Sequence, residues 1–150
     1  MFYYYFNLKE LDFDNIDTSR VTNMNQMFFY NNALTEINVS NFDTSNVTNM
    51  GYMFGYCSGI KKLDLSSFDT SKVTGVSYMF YGTNSEIIKL NNASFSHISN
   101  AHGVFPYTSN PLIIVVKDSV EKNWVLSKGN FGANTQILTV AEYETMYPNG

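Results

Sequence analysis

Apolar and polar positions recur along the first two thirds of the chain at a fixed interval. The segments IDTSRVTNMNQMF, FDTSNVTNMGYMF and FDTSKVTGVSYMF align without gaps, so that Asp17, Asp43 and Asp69 stand 26 residues apart. Val21, Val47 and Val73 keep the same spacing, as do Met27, Met53 and Met79 and then Phe28, Phe54 and Phe80. The other half of each unit is also in register: LKELDFDNI, LTEINVSNF, IKKLDLSSF and, after a one-residue insertion, IIKLNNASF. These read LxxLxLxxF, carried by Leu34, Ile37, Val39 and Phe42 in the second copy and by Ile60, Leu63, Leu65 and Phe68 in the third. The last copy pairs Ile87 or Ile88 with Leu90 and Phe95 and places Asn92 where an apolar residue is expected. Such decay is normal for the terminal unit of a repeat array.

Within each unit the L-x-L alternation (Leu11 and Phe13; Ile37 and Val39; Leu63 and Leu65) predicts a short half-buried strand. Val21, Met24, Met27 and Phe28 predict one face of a short helix or helical turn. Neither segment buries its apolar side alone; stacking joins the strands into a parallel sheet and the helical faces into one core. The crossover rule makes the winding right-handed. The expected fold is therefore an α/β repeat: a right-handed leucine-rich-repeat-like solenoid of short parallel strands and short helical turns, with a C-terminal α/β cap. The D-T-S before each helical segment reads as a cap, its side-chain oxygens accepting from free amides. Stacked Asp17, Asp43 and Asp69 also offer oxygens to Ca²⁺, although one carboxylate per coil is a poor cage. Asn23 and Asn49 are expected to form side-chain hydrogen-bond ladders.

The repeats are assigned to residues 1–110, with a partial coil over 1–15 and coils starting near 16, 42 and 68, and the cap to 111–150. In the cap, PLIIVVKDS reads as a strand entering a helix, with Asp118 and Glu121 spaced as a capping box and Gly129 as the stop. Trp124 is expected to cover exposed core. TQILTV is a second strand before a helical turn, AEYETMY, ended by Pro148. Met1 and Phe2 fall in register with Met27 and Phe28, so the chain starts inside a unit. The expectation is a fragment lacking upstream coils, or end-to-end self-association through Phe2, Tyr3, Tyr4, Tyr5 and Phe6.

Charged residues make up only 15 % of the 150 and aromatics 16 %, so Asn, Ser, Thr and Tyr must cover much of the surface. A net charge of -4 with scattered Lys and Arg leaves no positive stripe for phosphates, which argues against a nucleic-acid partner. PLIIVV is too short to span a bilayer, so direct membrane insertion is not expected. MFYYYF lacks the basic start of a signal peptide. Cys57 is the single cysteine, which forbids an internal disulfide and reads as a small buried residue. Asn38, Asn46 and Asn92 match glycosylation acceptors, which chance explains in so Asn- and Ser-rich a chain.

The string FDTSNVTNMGYMFGYCSGIKKLDLSSFDTSKVT resembles the repeat of BspA-type leucine-rich-repeat surface proteins, over roughly residues 1 to 95. Such proteins are found in Gram-positive bacteria and mycoplasmas as large wall-anchored or lipid-anchored molecules. The resemblance implies a cell-surface or secreted location and a role in adhesion or host contact. The chain departs from the pattern in having no signal peptide, N-terminal cap or wall-anchoring tail.

No GxSxG elbow or glycine-rich phosphate loop occurs, and His97 and His102 have no acidic residue or cysteine near them in sequence. No catalytic, cofactor-binding or metal-ligating residue is expected, and the chain reads as a non-enzyme. The expected partner is a protein or glycan, met by strand residues that line up coil over coil: Glu10, Asp12, Glu36, Asn38, Lys62, Asp64, Lys89 and Asn91. Tyr52 and Tyr78, in register outside the helical stripe with Tyr30 and Tyr56 nearby, form a second candidate surface. The alternative is a rigid stalk with no ligand of its own.

Overall fold

A computed structural model describes residues 11, 13, 15–99 and 101–149. Its elements are β1 (Lys62–Asp64), β2 (Ile87–Leu90), β3 (Leu112–Val116), α1 (Ser119–Lys128), β4 (Thr135–Thr139) and α2 (Val140–Met146). The protein is an α/β fold in which the four strands form one parallel sheet in the order β1-β2-β3-β4. Lys62 lies beside Ile87, Ile87 beside Ile113 and Ile113 beside Gln136. Alternation turns Leu63, Ile88, Leu90, Leu112, Ile114 and Val116 into the core and leaves Lys62, Asp64 and Lys89 on the other face. The strand expected at Ile37 and Val39 is not formed, and the described Leu11 and Phe13 lie in no strand either.

The predicted helical turns are absent: among the described residues both helices lie after residue 118. Each expected helical segment is instead a train of tight turns. Met27, Phe29 and Asn31 donate their amides back three residues, to Met24, Gln26 and Phe28, at 3.2–3.3 Å. The intervening amides of Met24, Gln26, Phe28 and Tyr30 reach the next unit, to the carbonyls of Asn49, Gly51, Met53 and Gly55, at 2.9–3.0 Å. Met50, Tyr52, Phe54 and Tyr56 repeat this onto Gly75, Ser77, Met79 and Tyr81. A positive φ in the third turn position excludes a helix here, and it recurs at Gln26, Tyr52 and Tyr78 and again at Tyr30, Tyr56 and Gly82. The 3-3-1 apolar spacing thus selects inward positions of a turn ribbon whose backbone groups are satisfied half locally and half across units.

Between the units a column of rings fills the core. Phe28, Phe54, Phe80 and Phe105 stack at centroid separations of 5.4, 6.2 and 5.7 Å. Each buried ring contributes about 1.5–3 kcal/mol relative to exposure. Asn31, Cys57 and Thr83 form a parallel column of small donors: Asn31 Nδ2 and Cys57 Sγ donate to the Phe28 carbonyl at 2.8 and 3.0 Å, and Thr83 Oγ1 to that of Phe80 at 2.9 Å. Cys57 is buried as expected, and burial pushes its thiol up to about 12.

Threonine supplies another ladder. The Thr18 hydroxyl donates to the Asp43 carbonyl at 3.0 Å and accepts the Asp43 amide at 2.8 Å; Thr44 does the same with Asp69, and Thr70 with Ser94. This pairing corrects the alignment of the fourth unit. Ser94 takes the place of Asp69, and Ala93, donating to Leu90, takes the place of Phe68, which donates to Leu65. Phe95 therefore falls at the threonine position and turns to stack on Trp124, 5.7 Å away. Where the earlier units have Asp to accept the amide two residues on, Ser94 has no carboxylate. Glu121 replaces it from α1, accepting Ser94 Oγ at 2.7 Å, the Phe95 amide at 2.9 Å and the Ser96 amide at 3.1 Å.

Asp118 caps α1 as predicted, accepting the Val120 and Glu121 amides, and Gly129 ends it. The expected capping box there does not form, because Glu121 is occupied as described. The box belongs to α2, where Thr139 and Glu142 exchange side chain-to-backbone bonds and Lys122 holds Glu142 at 2.7 Å. Trp124 is buried against Phe95 and donates Nε1 to the Ile98 carbonyl at 3.3 Å.

Candidate functional site

The outer face of the sheet begins polar and turns apolar. Glu36, Asn38, Lys62 and Asp64 are exposed, whereas the outward positions further along are Ile87 and Lys89, then Ile113 and Val115, then Gln136 and Leu138. α2 packs beside β3 and β4, and its Tyr143 ring lies 4.9 Å from Lys89 Nζ in a cation–π contact. A groove of about 300 Å³ is lined by Ile37, Lys62, Leu63, Asp64, Ile87, Lys89 and Tyr143. It adjoins a depression formed by Ile37, Asn38, Ser40, Asp64, Ser66 and Ser67, and another formed by Leu11, Glu36, Ile37 and Asn38.

Five sequence-predicted residues therefore share one surface: Glu36, Asn38, Lys62, Asp64 and Lys89. Asn91 does not join them; it is half-buried, and its side-chain oxygen is buried without a hydrogen bond among the described residues. Glu10 and Asp12, and the aromatic start with its expected self-association, lie outside the described residues. Sequence reasoning missed Ile37, Ile87 and Tyr143. The apolar run of outward residues after Lys89 was the available signal, since such positions need a cover. Two of the outward polar groups also hold their own loops: Asn38 Oδ1 accepts the Ser40 amide at 3.1 Å and Asp64 Oδ1 the Ser66 amide at 2.9 Å.

The Asp17, Asp43 and Asp69 carboxylates each close a turn on a following serine amide, Ser19, Ser45 and Ser71, at 2.9–3.0 Å. Hydrogen bonds from those serines, side chain first for Asp17 and Asp43 and backbone first for Asp69, hold all three below the usual carboxylate range. Asp17 and Asp69 push Asp43 the other way, which shows the three in a row. Among the described residues no group of three or more His, Cys, Asp or Glu is placed to hold a metal. Asn23 and Asn49 also close turns, onto the Asn25 and Gly51 amides, rather than forming side-chain ladders; their backbones pair instead, Asn23 with Asn49 and Asn49 with Gly75. His97 Nε2 lies 3.0 Å from the Val73 carbonyl.

Tyr52 and Tyr78 belong to a second surface, on the turn ribbon. Their rings stack at 4.8 Å, and those of Tyr30 and Tyr56 lie 4.9 Å apart. Phe29 joins the columns edge-on against Tyr52 and Tyr56, and Tyr81 does so against Tyr56 and Tyr78. The columns end on glycines: a Cβ at Gly82 would sit 2.7 Å from the Tyr56 ring, and one at Gly103 2.7 Å from that of Tyr78. The positive φ of the tyrosines is thus matched by rings that lie across the neighbouring unit.

An α/β protein with a four-stranded parallel sheet, whose 26-residue sequence repeats are joined by hydrogen bonds from one repeat to the next, is the class these features define. The chain belongs to the family described as Mycoplasma protein of unknown function, DUF285, whose model matches residues 1–112. No curated protein and no solved structure matches it significantly. Among the described residues no helix is long and apolar enough to cross a membrane.

Proposed function

We propose that this chain is a non-catalytic interaction module of a cell surface, a right-handed leucine-rich-repeat-like solenoid of the BspA type. It captures a host or neighbouring-cell protein or glycan through the strand face. The observation that carries this reading is the set of adjoining depressions around Ile37 and Asp64, to which three successive units contribute Glu36 and Asn38, Lys62 and Asp64, and Ile87 and Lys89. A surface repeated unit over unit is the one solenoid proteins commonly use for partners. The regular cross-unit amide bonds support the solenoid, and the surface location rests on the sequence resemblance.

Because Asn38 and Asp64 also close turns, Glu36 and Lys62 are the cleaner positions for a test. Both are exposed, so Glu36→Lys with Lys62→Glu should leave the melting temperature within the small range of surface changes. Capture of host cells or matrix protein by the immobilised chain should fall; unchanged capture would exclude this face. The continuous backbone bonding between units supports a second reading, a stiff stalk, which requires that the chain retain nothing from a screen of host proteins and glycans. A single reproducible ligand would end it.

A further inference from the structure

Charge is distributed in an unusual way among the units. None of the nine Lys and Arg or thirteen Asp and Glu falls within residues 21–34, 47–60 or 73–85, the turn ribbons, and in the next unit residues 98–111 add only His102. The charged groups collect instead on the strand segments, at the Asp corners and in the C-terminal elements. On the uncharged side Tyr56, Tyr81 and Tyr107 are 36, 41 and 74 % exposed. The Tyr56 ring lies over Gly82, Tyr81 precedes Gly82 and stands at 83° to Tyr56, and Tyr107 occupies the matching position of the next unit, two residues after Phe105 as Gly82 is two after Phe80.

Such a surface offers partly exposed rings and phenol hydroxyls, and its own segments carry no fixed charge with which to neutralise an anion or steer a charged partner. A protein partner would ordinarily meet a rim bearing charge; the turn segments carry none of their own, and Lys61, donating to the Asn84 carbonyl at 3.2 Å, and Glu86 stand at their edge. A ligand made of C–H faces alternating with neutral hydroxyls matches it. The exposed rings come from three successive units, Tyr56, Tyr81 and Tyr107, which favours a polymer over a single small molecule. We propose that the turn side, centred on Tyr56, Tyr81 and Tyr107, is a binding surface for an uncharged polysaccharide. This surface is separate from the strand face, and either reading stands if the other fails.

The test is affinity electrophoresis of the full chain in gels containing a soluble neutral glucan, a neutral mannan or, as the charged comparison, hyaluronate. At least one neutral polymer retards the protein, hyaluronate does not, and added salt leaves the retardation unchanged because no ion pairs are involved. Tyr81→Ser with Tyr107→Ser weakens the interaction about tenfold, the size of effect expected from losing an aromatic anchor. Tyr107→Ser alone, at the most exposed ring, reports the same direction if the double variant melts early. Glu36→Lys with Lys62→Glu has no effect on it. Absence of retardation in both neutral polymers, stronger retardation in hyaluronate, or a tyrosine variant that binds as well as the parent would each overturn the proposal.

Discussion

Replacing Glu121 with glutamine tests how α1 completes the fourth unit. The side chain is 3 % exposed and receives the Ser94 hydroxyl and the Phe95 and Ser96 amides. Glutamine keeps one acceptor oxygen and aims an NH₂ at donors. At least one bond to a charged group is lost, about 1.5–3 kcal/mol, and a buried amide is left unpaired at about 1–3 kcal/mol more. The expected loss is about 3–5 kcal/mol at neutral pH, a large part of a typical domain's stability of about 5–15 kcal/mol.

The same contact depends on pH. Burial works to raise the Glu121 pKa, but hydrogen bonds from the Ser96 and Ser94 side chains and from the Phe95 and Ser96 backbone outweigh it, and the group ends below its ordinary 4.5. The folded carboxylate therefore resists protonation that the unfolded chain accepts. Its stabilisation is complete above the unfolded value and is lost as pH falls through the folded one. Urea unfolding followed by the fluorescence of Trp124, the single tryptophan, reads this directly. Asp17, Asp43, Asp69 and Glu142 are lowered as well, so the informative quantity is the difference between parent and variant. That difference should shrink between neutral pH and about pH 3. A loss under about 0.5 kcal/mol, or a difference unaffected by pH, would refute the assignment of Glu121 as the replacement acceptor.

Thr44→Val removes the hydroxyl that joins the carbonyl and amide of Asp69 and should lower stability by about 1–3 kcal/mol, while Thr44→Ser retains most of it; equal melting of both variants would count against the ladder. Gly82→Ala forces a Cβ to within 2.7 Å of the Tyr56 ring at a φ of +70°, so a drop of about 1–3 kcal/mol is expected in thermal unfolding, and a stabilised variant would show that the ring yields freely.

The period, the inward positions and the C-terminal elements were legible in the chain because each depends on side-chain chemistry that repeats. Phe28, Phe54 and Phe80 fall 26 residues apart and stack in the core, and Asp118 and Gly129 bound α1 where expected. The turn ribbon was not legible, because apolar positions at intervals of three mark an inward face for a helix and for successive tight turns alike. Only the backbone signs distinguish them, and a tyrosine at positive φ is not a residue that composition would assign there. The fourth unit misled because Phe95 looks like the phenylalanine of the repeat, whereas the threonine hydrogen bonds place Ala93 in that role. Of the strand face, the outward polar residues followed from alternation. The packing of α2 did not, since a seven-residue helix with no buried residue leaves little pattern to read.

The alternation of amides in the turn ribbon gives each unit something like a reading frame. Even positions serve the neighbour and odd positions serve the turn, so one residue added or removed there would exchange every role at once. The changes of length respect this. The offset between equivalent residues is 26 from Phe54 to Phe80, 25 from Lys62 to Ile87 and from Phe80 to Phe105, and 26 again from Ile87 to Ile113. Both shifts fall in the joints between ribbon and strand, after Thr83 and after Phe105. Those joints are where the architecture tolerates insertion, and a peptide tag or an added loop belongs there, beside the exposed Ser109 and Asn110, and not among the tyrosines.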